Sequence, residues 1–120
     1  MSSRESGFEK EREAAAYLKK NGYKILATNY VTPFGEIDII AEDKNEIVFV
    51  EVKYRKSSYS GLAQEAVNAL KQKKIIKSAL LYIKRNCIKK NIRFDVAAVS
   101  DAKIELIKSA FTPAESQYYF

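Results

Sequence analysis
The chain has 120 residues, 47% of them hydrophobic and 30% charged, with a net charge of +6. That length suits one domain with a real core, 1–120, with residues 1–6 and 112–120 as peripheral tails. One cysteine and no histidine exclude an intramolecular disulfide, the usual zinc site and every histidine-based catalytic triad.

No apolar run approaches the ~18 residues of a membrane span, and the N-terminal MSSRESGFEKERE lacks the apolar stretch of a signal peptide, so a cytoplasmic, membrane-free protein is expected. Phe8, Ala14, Ala15, Tyr17 and Leu18 predict a helix from Phe8 to Lys20, with Asn21-Gly22 as its stop. Glu11 lies near its start, where a surface carboxylate favours the helix dipole. Tyr23 to Val31 reads as a first strand, and Thr32-Pro33-Phe34-Gly35 as a turn.

The stretch Pro33 to Arg55 reads as a β-hairpin whose loop is the polar run Glu42-Asp43-Lys44-Asn45, with Ala41 opposite Glu46. Strand alternation then gathers Glu36, Asp38, Glu51 and Lys53 on one face, with Asp38 and Glu51 on a diagonal of about 7–8 Å, in joint reach of one ion. Such carboxylates repel unless a divalent cation or neighbouring lysines hold them ionised. Their oxygens suit Mg²⁺ or Mn²⁺, and Lys53 could stabilise charge on a phosphate, as phosphodiester hydrolysis requires. A Glu-x-Lys pair is also the ordinary pattern of a solvated sheet face. Here, however, the charges interrupt Ile47-Val48-Phe49-Val50 and flank Ile37, Ile39 and Ile40, where burial without partners is costly.

After the hairpin, Tyr54 to Gly61 reads as a basic, serine-rich loop in which Arg55 and Lys56 could contact phosphates and Tyr54 or Tyr59 could stack on a base. Leu62 to about Cys87 reads as a long helix with an apolar stripe of Leu62, Ala66, Leu70, Ile76, Leu80 and Ile83, broken by Lys73. From Gly61 to Lys90 eight basic residues stand against one acidic residue. Lys71, Lys73, Lys74 and Lys77 on this helix form a candidate nucleic-acid face, or a solvated surface. Gln72 beside them could hydrogen-bond at a site edge or face water. Asn91 to Val99 reads as a half-buried strand carrying Arg93 and Asp95 as a structural ion pair, and Ile104 to Ile107 as a short last strand. The tail with Tyr118, Tyr119 and Phe120 either docks on the core or makes an oligomer contact.

The order α-β-β-β-α-β, with Asp on the second strand and Glu-x-Lys on the third, resembles the PD-(D/E)XK nuclease superfamily of restriction enzymes and archaeal Holliday junction resolvases. More specifically, Gly7-x-x-x-Glu11, Asn21-Gly22-Tyr23, Asn29-Tyr30, Gly35-Glu36-Ile37-Asp38, Phe49-Val50-Glu51-Val52-Lys53, Lys71-Gln72-Lys73 and Arg93-Phe94-Asp95-Val96 resemble the YraN-like family of predicted bacterial endonucleases, over residues 7–111. The resemblance implies an α/β, restriction-endonuclease-like core with a mixed sheet flanked by helices. It implies Asp38 and Glu51 as metal ligands, Lys53 as the residue that positions the nucleophilic water, and Glu11 and Gln72 at the border of the same site. The superfamily's proline before the motif aspartate is replaced by Ile37, and the glycine before the first-helix glutamate by Lys10.

The expected activity is Mg²⁺- or Mn²⁺-dependent hydrolysis of DNA phosphodiesters, with branched DNA suggested by the resolvases; a homodimer would suit it. The rival is a non-catalytic nucleic-acid-binding or adaptor module on the same scaffold. A third reading is a protein-interaction domain with a basic face.

Overall fold
Two helices and five strands alternate in the order α-β-β-β-α-β-β in the computed structural model, which describes residues 3–55 and 67–113, the side chains of 3–6 and Arg55 excepted. They are α1 (Ser3–Lys20), β1 (Lys24–Thr32), β2 (Gly35–Asp43), β3 (Glu46–Arg55), α2 (Ala69–Arg85), β4 (Asn91–Ser100) and β5 (Ile104–Phe111). The strands form one mixed sheet in sequence order. β1, β2 and β3 make an antiparallel meander, β3 and β4 run parallel, and β5 returns antiparallel to β4. The parallel step requires a crossover, and α2 lies within it.

Each helix covers one face of the sheet. On α1, Ala14 and Leu18 stand one turn apart and fully buried, packed with Ile39, Ala41, Val48, Val50, Ala97 and Val99. The alanines let the helix approach closely. On the other face Ile75, Ile76 and Ala79 of α2 pack on Ile37, Ile40, Phe49, Phe94 and Val96. Phe94 stacks between Phe49 and Phe111, with ring centroids 5.5 and 5.1 Å away. Full burial of such side chains contributes about 1.5–3 kcal/mol each. α1 stops where expected: Gly22 takes φ +91°, and the Tyr23 amide donates to the Leu18 carbonyl at 2.9 Å.

Four expectations are corrected. In the hairpin, Ala41 pairs with Val48 rather than Glu46, and Asp43 with Glu46, so the loop is only Lys44-Asn45. Lys44 takes φ +57° to close it. Glu42 and Asp43 stay in the ladder because they have partners there, Lys90 for Glu42 and Arg93 for Asp43. Second, α2 begins at Ala69, where the Asn68 side chain accepts the Lys71 amide at 2.9 Å, a capping arrangement. Its buried stripe is Ile75, Ile76, Ser78 and Ala79, and Leu70 is 64% exposed. Third, β4 is covered on both faces: Phe94 and Val96 lie under α2, Ala97 and Val99 under α1, and Asp95 is fully buried. The last strand also runs longer than expected, to Phe111. Leu62, Ala66, Lys56, Tyr59 and the aromatic tail lie outside the described residues.

Candidate functional site
Alternation along β2 fails at Asp38, and that failure builds the site. Ile37 packs on the α2 side and Ile39 on the α1 side, although two residues apart on a regular strand they would share a face. Between the β1–β2 pairs Thr28↔Ile39 and Tyr30↔Ile37, the Asn29 backbone swings to φ +51°, a left-handed conformation that Asn adopts more readily than most residues. On the other side, the β2–β3 register ends at Ile39↔Val50. In the gap beyond it, Asp38 Oδ2 accepts the Val52 amide at 2.8 Å.

Glu11, Glu36 and Asp38 meet there, each offering a carboxylate oxygen within 4.8 Å of the others. Glu11 arrives because it stands three and seven residues before Ala14 and Leu18, on the sheet-facing stripe of α1. Asn29 holds two of the acids together: its Nδ2 donates to Glu11 and, at 2.9 Å, to Glu36. Burial raises the Glu11 carboxyl above its usual range against the opposing Asn29 bond, and Asp38 and Glu36 push it further.

Glu51 closes the site from β3 and is 5% exposed. Its Oε2 lies 3.7 Å from the Lys53 ammonium and 3.6 Å from that of Lys71. Its Oε1 is buried with no hydrogen-bond partner, a costly state for a carboxylate oxygen. Burial first, and then the Glu51 charge, push the Asp38 carboxyl up to about 7, against the Val52 amide and Lys71. The site therefore holds excess negative charge that the protein relieves only in part.

The two-residue shift in hairpin register keeps the strand parity, yet the four groups do not share one face as expected. Asp38 adjoins both Glu11 and Glu36 on one side and Glu51 on the other. Lys53 and Lys71 adjoin Glu51. Gln72 is used at the head of α2, where its Nε2 donates to the Val67 carbonyl at 2.8 Å. Lys73 and Lys74 are exposed on α2 and Lys77 is half-buried there. The Arg55 side chain and Lys56 lie outside the described residues. Two roles went unread in the sequence. Asn29 binds the acids together, and its signal was an Asn preceding the turn that leads to Glu36. Lys71, counted only as part of a basic face, is also a counter-ion of Glu51.

Arg93 and Asp95 form the structural pair expected of them. Arg93 grips both Asp95 oxygens at 2.9 Å and also reaches Asp43 at 3.1 Å, Glu46 at 3.0 Å and the Tyr23 hydroxyl at 2.6 Å. The Ser109 amide completes the cage around Asp95 at 3.0 Å.

Residues 10–99 match the sequence model of the uncharacterised protein family UPF0102. Similar relatives include a UPF0102 protein of Thermodesulfovibrio yellowstonii, 51% identical over 92% of this chain and 99% of its own. Another, from Syntrophus aciditrophicus, is 53% identical over 84% of both chains. Among solved structures, one described as the crystal structure of SSO0001 is similar at a TM-score of 0.49 and 14% identity; 93% of this chain is covered, and the chain spans 54% of that protein. With a match over most of its length and relatives this similar, the chain belongs to the uncharacterised protein family UPF0102, the YraN-like family that its motifs resemble.

Proposed function
We propose that the chain is a nuclease that hydrolyses DNA phosphodiesters with a bound divalent cation, Mg²⁺ or Mn²⁺. The observation that carries this reading is the Asp38–Glu51 pair: one carboxyl raised to about 7 beside another whose Oε1 is buried without a partner. An all-oxygen set fits a hard cation; Glu11, Glu36 and Asp38 lie close enough together to hold it, and Glu51, beside Asp38, is the further ligand that the motif resemblance implies. When bound, the ion supplies Lewis acidity for the phosphate and lowers the pKa of water.

The chain's own groups do the rest. The Val52 amide orients Asp38, and Asn29 orients Glu11 and Glu36. Lys53, half-exposed beside Glu51, can donate to a water or to a non-bridging phosphate oxygen and offset charge that develops there. Near neutral pH the Asp38 carboxyl, raised to about 7, is still partly protonated, so loading the site releases that proton.

Calorimetric titration of Mn²⁺ and Mg²⁺ into the protein and its Asp38→Ala and Glu51→Ala variants, followed by cleavage of linear, single-stranded and branched DNA, tests the reading. The wild type is expected to bind and cut, and both variants to do neither. No cation binding even with DNA present would end the proposal. One observation favours the rival, non-catalytic reading: Glu51 already has Lys53 and Lys71 as counter-ions. In that case Asp38→Asn tightens DNA binding and changes no chemistry.

A further inference from the structure
The turn between β1 and β2 carries an aromatic ring on a mount that folding alone does not call for. Thr32 and Ser78 are 8% and 1% exposed, and their hydroxyls meet at 2.7 Å between the sheet and α2. Thr32 Oγ1 also donates to the Gly35 carbonyl at 3.0 Å and accepts the Phe34 amide at 3.1 Å. Ser78 must then be the donor of the pair, and every hydroxyl proton is used. Two apolar side chains of similar shape would fill the same space with little loss of stability. What the hydroxyls add is position: they fix the turn 32–35 against the middle of α2.

The fixed turn presents Phe34, 39% exposed, against the basic side of the helix. The Lys77 ammonium lies 5.6 Å from its ring centroid. Gly35, at φ +148°, brings the backbone so close to Lys74 that an added Cβ would touch the lysine's own at 3.8 Å. Leu70, Lys74 and Lys77 stand at helical spacing on one stripe of α2, and α2 carries six basic and no acidic residues. Leu70, 64% exposed, supplies further apolar surface. Both ends of this surface lead into the carboxylate cluster: Glu36 follows Gly35 directly, and Lys71 reaches Glu51.

We infer that Phe34 with Lys74 and Lys77 forms a docking platform for an unpaired deoxynucleotide, whose base stacks on the ring while its flanking phosphates lie on the lysines. An aromatic ring beside cations is the general means of holding a single strand without reading its sequence. A base within an uninterrupted duplex has no face to offer. The platform rests on the nucleic-acid reading above and refines it: the preferred substrate has unpaired nucleotides next to the phosphate at the acidic cluster.

The test is binding without cleavage, in EDTA, of a fluorescein-labelled single-stranded oligonucleotide and of the matching blunt duplex, by anisotropy. Phe34→Ala is expected to weaken the single strand about 5- to 150-fold, the range for loss of one base-stacking contact. Duplex affinity should change less than twofold, and Phe34→Tyr, which keeps the ring, should restore single-strand binding. Lys74→Ala should weaken binding and reduce its salt dependence by one phosphate contact. Equal loss on both DNAs, or no loss on either, overturns the platform while leaving the nuclease reading in place. A wild type that binds neither DNA overturns the platform and the nucleic-acid reading together.

Discussion

Asp38→Asn should stabilise the metal-free protein, and only above the pH at which Asp38 ionises in the unfolded chain. The Asp38 carboxyl is raised from 3.8 to about 7, chiefly by burial and then by Glu51. Between these values the native state holds a proton that the unfolded chain has lost, so stability falls as pH rises from about 4 to about 7 and is level beyond. At 1.36 kcal/mol per unit the full shift sets a ceiling of roughly 4 kcal/mol, and because part of it comes from the neighbouring Glu51 charge the expected loss is about 2–4 kcal/mol. Asparagine keeps the shape and cannot ionise. Urea unfolding at pH 5, 6, 7 and 8 in EDTA, followed by tyrosine fluorescence because the chain has eight tyrosines and no tryptophan, should show the wild type losing stability across this range. The variant should lose much less, keeping only the slope that Glu11, also raised, imposes in the same direction. A wild type with level stability from pH 5 to 8, or a variant with an undiminished slope, would refute the reasoning.

Arg93→Met should cost about 3–5 kcal/mol in urea unfolding, because it leaves the fully buried Asp95 without its counter-charge; a cost below about 1 kcal/mol would mean that Ser109 and water satisfy Asp95 alone. Thr32→Val should cost about 1–3 kcal/mol by leaving the Ser78 hydroxyl buried without its partner. Adding Ser78→Ala should recover much of that loss, and simple additivity in this double-mutant cycle would contradict a specific hydroxyl pair.

Much of the fold was legible because the apolar runs are long and bounded by clear stops. Asn21-Gly22 ended α1 as read, and Ile47-Val48-Phe49-Val50 became the middle of the sheet. The errors came from polar residues whose partners are distant in sequence. Glu42 and Asp43 looked like a loop because Lys90 and Arg93, which keep them in the ladder, lie some 50 residues away. Asn68 marked the start of α2 as a capping residue, but Leu70, which is exposed, was read into its apolar stripe. The candidate carboxylates were visible as charges in apolar runs. Their grouping was expected from strand alternation and, for Glu11, from the resemblance; the way they meet was not, since it depends on the φ +51° of Asn29 and the parting of β2 from β3. Strict alternation is a rule for regular strands, and the site sits where regularity stops.

The Arg93 cage and the acidic cluster lie at opposite ends of the β2–β3 pair, the first beside Asp43 and Glu46, the second beyond Ile39 and Val50. At about 3.3 Å per residue they are separated by only a few residues of strand, yet they set two kinetic regimes. Around Arg93, one guanidinium joins the head of β1, both arms of the hairpin and β4, so an amide there meets solvent only when the whole sheet comes apart. Past Ile39 the hairpin arms have already separated from each other, although β2 stays paired with β1 to Gly35 and β3 with β4 to Arg55, and the amides that face the gap can exchange through small local openings. Hydrogen exchange along β2 and β3 should therefore run as a gradient, slowest near the Lys44-Asn45 loop and fastest towards Glu36 and Lys53. The hairpin is then held at its tip and parted at its base, and the parted end carries the acidic cluster.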